Sequence, residues 1–173
     1  MIDKDGYRAN VGIVLTNENK QVFLAKRYKE ESWQFPQGGI DYGETIVNAL
    51  YRELYEEIGL EKKDVTIIAR TPKWLRYNLP EGYLKSNQKP FYIGQKQVWF
   101  MLKIKSSAKN ICLDKNHDIE FDDWKWVEFW HPIDTVVNFK KNIYEDVLKI
   151  LAPVLFNNEH KIPTKFSRPL KFN

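Results

Sequence analysis

Apolar positions fall along this chain in two rhythms. Short runs rich in β-branched and aromatic residues, at 11–15, 22–26, 65–69, 98–104 and 124–129, predict strands. Between Thr45 and Ile58 the spacing becomes helical, and Val47, Leu50, Tyr51, Leu54 and Ile58 fall on one stripe at about 100° per residue, with Gly59 as the stop. A second helix is predicted over about 141–151, closed near Pro153. Residues 78–90 combine Pro, Gly, Ser and Asn without any period and predict a long loop, a kind of segment that is often functional.

The first helix carries more than its stripe. Glu53, Glu56 and Glu57 have i, i+3, i+4 spacing and share a face. Only Glu56 has a cation one turn away, Arg52, whereas Glu53 meets Glu57 and Glu57 meets Glu61. Each like-charge pair costs an isolated helix a few tenths of a kcal/mol. A hard divalent cation reverses that sign, because Mg²⁺ takes carboxylate oxygens while keeping several waters. For three glutamates alone a solvated acidic face would suffice, so their surroundings decide.

Those surroundings fit G-x5-E-x7-R-E-U-x-E-E-x-G-U, with U aliphatic, at every fixed position: Gly38, Glu44, Arg52, Glu53, Leu54, Glu56, Glu57, Gly59 and Leu60. With each single-residue position at roughly one in fifteen, chance supplies such a match on the order of 10⁻⁸ times per starting point. The pattern is the Nudix box, and the chain resembles Nudix hydrolases, which cleave a nucleoside diphosphate linked to another group. The resemblance implies an α/β fold, an α/β/α sandwich around a mixed central sheet. It implies Glu53, Glu56 and Glu57 as ligands of Mg²⁺ or Mn²⁺, Arg52 and Glu44 as braces, and Gly38 and Gly39 as points where backbone approaches metal and phosphate.

Further segments, "DGYRANVGIV", "SWQFPQGGI", "WLRY", "IGQKQVWF" and "EFDDWKWV", are similar to the bacterial RNA pyrophosphohydrolase branch, also described as dinucleoside polyphosphate hydrolases. The likeness spans about residues 1–154. It implies removal of pyrophosphate from the 5′-triphosphate end of RNA, with dinucleoside polyphosphates as the alternative substrate. A nucleotide-binding module without turnover is the alternative of another class, and the intact acidic box argues against it. Glu57 is the first candidate for the general base and Glu120 the second; the branch resemblance also implies Glu120 as a metal ligand. The other reading of Glu120 is an acidic surface loop. That loop starts like a calcium site, with Asp114, Asn116 and Asp118, but Ile119 replaces the required Gly and Lys125 the bidentate Glu.

Phosphate chains need cations, and Arg8 and Arg27 are the first choices, followed by Arg76, with Lys26 and Lys96 nearby. Phe139 and Lys140 sit at the start of the second helical pattern. Phe139 is either a core residue or a platform on which a base stacks, with Arg27 closing the other face. His117, His131 and His160 lack metal-ligand spacing and receive no role.

Composition adjusts this picture little. The chain has 173 residues, 43% of them hydrophobic, enough for one domain with a real core. No apolar run reaches membrane-spanning length, the N-terminus lacks a secretory h-region, and Cys112 is the one cysteine, so the expectation is a cytoplasmic protein without membrane or disulfide-linked partners. The net charge of +4 points toward nucleic acid, but residues 157–173 carry +3 of it. The expected division is a catalytic domain over 1–156 and a basic, flexible tail over 157–173.

Overall fold

The computed structural model describes residues 1–83, 91–115, 119–159, 162–166 and 168–170. In chain order the strands are β1 (Tyr7–Thr16), β2 (Val22–Arg27), β3 (Trp33–Gln34), β4 (Gln37–Gly39), β5 (Val65–Arg70), β6 (Leu75–Asn78), β7 (Gly94–Ile104) and β8 (Phe121–Val127). The helices are α1 (Ile46–Ile58), α2 (His131–Thr135) and α3 (Asn138–Leu155).

β1 and β7 pair in parallel, from Tyr7 opposite Gly94 to Thr16 opposite Lys103. Both strands are apolar on both faces, as a parallel pair buried between two layers requires. Ala9, Val11, Ile13 and Leu15 of β1 join Val98, Phe100 and Leu102 of β7 in a core beneath α1. Val14, Trp99 and Met101 point the other way, into a core shared with Ile133 of α2 and Tyr144, Val147 and Leu148 of α3. The remaining pairings are antiparallel: β2 and β4 against β1, β3 and β8 against β2, and β5 and β6 against β7. The sheet is therefore mixed and lies between helical layers, the α/β/α arrangement that the resemblance implied.

Three expectations need correction. Val47 is 42% exposed, so the buried face of α1 is rotated away from the expected stripe. α3 starts three residues earlier than expected and continues through Pro153 to Leu155. It can do so because a proline this close to a helix end costs only one terminal hydrogen bond.

The third correction concerns the tail, expected to be flexible. Phe166 is buried at 3% exposure, tilted against the Trp130 ring at 5.9 Å. Arg168 Nη2 donates to Asp146 Oδ1 at 2.6 Å and to the Asn142 carbonyl at 2.8 Å, and Lys165 pairs with Asp134 at 2.6 Å. Lys149, itself buried, donates to Glu145 and to the Arg168 carbonyl. One aromatic anchor and these pairs strap the described part of the tail across α2 and α3. Part of the 78–90 loop, Asn116, Asp118, His117, His160, Lys161 and Lys171 lie outside the described residues. Among the described residues no helix is long and apolar enough to cross a membrane.

Candidate active site

α1 is pinned at both ends. Thr45 Oγ1 accepts from the Asn48 amide at 3.2 Å, and Gly59, at φ 72°, turns its N–H onto the Tyr55 carbonyl. Between these caps two adjacent ridges are buried, Leu50–Leu54–Ile58 and Ala49–Glu53–Glu57. The first ridge anchors the helix. The second carries two carboxylates inward, to 7% exposure at Glu53 and 5% at Glu57.

Arg52 ties the loop before α1 to these carboxylates. Its Nε and Nη2 clasp both oxygens of Glu44 at 2.9 Å each, and Nη2 also donates to the Gly39 carbonyl at 2.7 Å. Nη1 donates to Glu53 Oε1 at 2.7 Å and to Glu56 Oε2 at 3.0 Å. Arg52 thereby joins Glu44 and the Gly39 carbonyl of the loop to Glu53 and Glu56 of the helix. Hydrogen bonding from Arg52 holds the Glu44 carboxyl below its usual range. The surrounding carboxylates bind the Arg52 proton more firmly than usual.

Gly38 explains how Glu53 reaches the site. A Cβ there would lie 1.9–2.0 Å from the Glu53 carboxyl atoms, so only glycine admits them. At Gly39 a Cβ would meet the Arg8 guanidinium at 2.3 Å. The two glycines make room for one anion and one cation side by side.

Burial pushes Glu53 up from its ordinary pKa. Burial pushes Glu57 well up, and the negative charges of Glu120 and Glu53 add to the effect. Glu57 Oε2 accepts the Gln37 amide at 2.9 Å, while Oε1 is buried with no hydrogen-bond partner. A buried, unpartnered carboxylate oxygen facing further carboxylates is costly in a metal-free protein. It is the feature that a hard cation with oxygen ligands satisfies, so these residues fit a divalent metal. Among the described residues no three acidic, histidine or cysteine side chains already stand at metal-holding positions. Arg52 occupies Glu53 Oε1 and Glu56 Oε2 instead.

Beside the carboxylates lies a cavity of about 580 Å³. Gly38, Gly39, Glu53 and Glu120 border it on one side, and Arg8, Arg27, Phe139 and Lys140 also line it. Of the sequence-chosen cations, Arg8 lies 5.9 Å from the Tyr92 ring centroid, and Arg27 pairs with Glu30 at 3.2 Å and Glu120 at 3.7 Å. Lys140 is buried and donates to Gln34 Oε1 at 2.9 Å. Burial, reinforced by Arg27, lowers its pKa to about 8. Glu120 is 40% exposed at its side chain and borders the cavity. Phe139 is half-buried, tilted against Tyr77 at 6.1 Å, and borders the cavity.

Arg76 and Lys96 stand elsewhere. Arg76 pairs with Asp3 at 3.3 Å and Asp5 at 3.1 Å, lies 4.9 Å from the Tyr7 ring, and borders a neighbouring cavity. Lys96 pairs with Asp3 at 2.9 Å. Lys26 pairs with Glu31 at 2.9 Å.

Sequence reasoning missed an amide relay. An indole N–H can only donate. Trp99 Nε1 donates to Gln97 Oε1 at 3.1 Å, which turns the Gln97 amide nitrogen toward Gln37 Oε1 at 3.0 Å and Gln95 Oε1 at 3.1 Å. Tyr77 Oη donates to Gln95 Oε1 as well, at 2.7 Å. With their oxygens engaged, Gln37 and Gln95 border the cavity. The signal was present: Gln95, Gln97 and Trp99 share one face of a strand, and polar side chains on a buried face need partners.

The NUDIX domain family matches residues 6–147. A relative from Ruthia magnifica subsp. Calyptogena magnifica, named RNA pyrophosphohydrolase, is 61% identical over 99% of this chain and 96% of its own length. One of the same name from Proteus mirabilis is 50% identical over 98% and 95%. The fold is similar to that of E. coli dihydroneopterin triphosphate pyrophosphohydrolase, with TM-score 0.64 and 18% identity over 83% of this chain and 97% of that one. A C. elegans Ap4A hydrolase in a binary complex gives TM-score 0.59 and 21% identity over 83% and 98%. A domain match over most of the chain, and kinship at these identities, make this protein a member of the Nudix hydrolase family.

Proposed function

We propose that this Nudix hydrolase removes pyrophosphate from the 5′-triphosphate end of RNA and leaves a 5′-monophosphate. The observation that carries the reading is the composition of the cavity: the buried carboxylate of Glu53 and the more exposed one of Glu120 border it together with cations, aromatic rings and amide side chains. The name RNA pyrophosphohydrolase on relatives at 50–61% identity supports it.

Nudix hydrolases use divalent metal ions, and Glu53, Glu56 and Glu57 would hold Mg²⁺ or Mn²⁺ here, with Glu120 as a further ligand. Bound there, the ion withdraws charge from phosphate oxygens and lowers the pKa of a water. The protein's own groups do the rest. Arg8 and Lys140 hold phosphate oxygens, and the amides of Gln37 and Gln95 add neutral donors. A water oxygen bonds to phosphorus as the anhydride P–O bond breaks. The leaving phosphate oxygen takes the electron pair, and a carboxylate takes the water proton. Glu57, with its raised affinity for a proton, is the first candidate for that base and Glu120 the second. Phe139 and Arg27 flank the place of a base.

A competition assay with Mg²⁺ or Mn²⁺ tests the reading. Triphosphorylated short RNA, diadenosine tetraphosphate and deoxynucleoside triphosphates, offered together, should give the highest kcat/KM for RNA. A higher value for diadenosine tetraphosphate would assign the enzyme to dinucleoside polyphosphates. Absence of turnover on all of them with either metal would leave a binding module.

A further inference from the structure

An amide side chain fits a hydrogen-bonding site in two ways, because its oxygen and nitrogen are alike in size and opposite in role. Where it is buried, its partners decide between the two. Gln97 is fully buried on β7, and Trp99, next on the same face, makes that decision. The indole ring is itself held in place. It lies over Gly12 of β1, where a Cβ would stand 2.4 Å from the ring, and Phe35 and Tyr144 meet it edge-on at 5.9 and 5.6 Å. Its N–H can only donate, so Gln97 turns its oxygen to Trp99 and its nitrogen to the oxygens of Gln37 and Gln95. From there the donors run on: the Gln37 side chain hydrogen-bonds the Tyr77 hydroxyl, which donates to Gln95. Both paths end on the Gln95 oxygen. Gln95 is half-buried and borders the cavity beside the carboxylates, and among the described residues its nitrogen has no protein acceptor.

We infer that Gln97 and Trp99 are positioning residues for the phosphate chain: together they fix the polarity of Gln95, so that the cavity meets an anion with an N–H donor and not with a carbonyl oxygen. The inference rests on the reading of this cavity as a phosphate site. Neither Gln97 nor Trp99 lines the cavity, so their effect reaches the anion through Gln95. The Gln37 N–H that holds Glu57 at 2.9 Å belongs to the backbone and does not turn with the side chains. Reversing the relay therefore weakens binding and leaves the chemical step alone.

Gln97→Glu reverses the polarity. The new carboxylate still accepts the Trp99 N–H, but its other oxygen also accepts, so Gln95 must turn its nitrogen inward and its oxygen to the cavity. Gln97→Met keeps the length of the side chain and removes both groups, which lets Gln95 take either orientation. The measurements are the dissociation constant of inorganic pyrophosphate with saturating Mg²⁺, by calorimetry, and kcat and KM on a triphosphorylated short RNA. Gln97→Glu should raise the pyrophosphate constant and KM about tenfold, as loss of a hydrogen bond to a charged group does, and Gln97→Met about threefold. In both, kcat should stay within about twofold of wild type, since no group at the reacting phosphorus has moved. Equal effects of the two variants, or losses that fall on kcat, overturn the inference. Gln95→Ala removes the side chain through which the relay acts, so Gln97→Glu should lose most of its effect in that background. An undiminished effect there would mean direct repulsion by the new charge and would also overturn it. Should Gln97→Glu fail to fold, Trp99→Phe takes its place: without the obligate donor the constant should rise about threefold, and an unchanged constant refutes the relay. A wild type that binds no pyrophosphate removes the phosphate reading and the inference with it. Pyrophosphate binding without RNA turnover sinks the RNA reading alone, and the order of the variants in binding still decides the relay.

Discussion

The two helical layers of this protein are built on different principles. α1 covers one face of the sheet with an apolar ridge and, beside it, a ridge that buries Glu53 and Glu57 against their electrostatic preference. α2 and α3 cover the other face with an apolar core, then gain cations, an aromatic platform and a strapped tail. The first layer holds unfavourable charge of the kind that a hard cation with oxygen ligands offsets. The second supplies surfaces that a substrate can recognise. Glu53 of the first layer and Phe139 and Lys140 of the second border one and the same cavity.

The largest expected effect lies on the α1 side. Glu53→Gln and Glu57→Gln should each lower kcat about 10²–10⁴-fold with saturating Mg²⁺. The fold should survive, because each change removes a buried charge, so the metal-free melting temperature should hold or rise slightly. Unfolded variants by circular dichroism, or near wild-type kcat, would remove the contrast between the layers.

The next effect tests the strap. Phe166→Ala should cost roughly 3–5 kcal/mol of stability, since it empties a buried aromatic site against Trp130. Chemical denaturation measures it. A change below about 0.5 kcal/mol, the size usual for a surface position, would return the tail to the flexible state expected from composition.

Phe139→Ala is a smaller change and separates the two roles of that ring. Loss of a stacked base costs about 1–3 kcal/mol in kcat/KM on RNA. Hydrolysis of a deoxynucleoside triphosphate should barely respond. Equal losses on both substrates, with a large drop in melting temperature, would make Phe139 a packing residue only.

The smallest effect is a pH dependence. Burial disfavours the charged form of Lys140, so its pKa falls from 10.5 to about 8. Above that pH the ammonium is lost and with it one attraction for phosphate, so KM should rise while kcat changes little. The same shift makes Lys140 a source of stability that is present above 10.5 and lost as pH falls through about 8. Lys140→Met should flatten the KM profile between pH 7.5 and pH 9, values chosen to bracket a group titrating near 8. A profile identical to wild type would place Lys140 outside the binding machinery.

The acidic layer was the more legible of the two. Long periodic elements such as α1, β1 and β7 declare themselves, and the box spacing named the carboxylates. The orientation of α1 was read one ridge off, because a glutamate on a buried ridge is indistinguishable from a surface one until its partner Arg52 is seen. β3, β4 and β6 escaped notice since strands of two to four residues carry no period. The strap was missed for a related reason. A single Phe166 among prolines and lysines decides between order and disorder, and composition averages it away.

The parallel pairing of β1 with β7 has a consequence for how the chain is made. Its partners lie roughly ninety residues apart, which makes this a high-contact-order core. As the chain emerges from a ribosome, the box helix is complete long before β7 exists. Leu50, Leu54 and Ile58 then lack Val98, Phe100 and Leu102, which complete their core. The nascent chain carries its most strongly charged helix in water without a finished core, so the cost of burying Glu53 and Glu57 falls on the late, long-range step that brings in β7. Divalent cations available during synthesis should therefore speed productive collapse of the newborn protein as well as serve the mature enzyme.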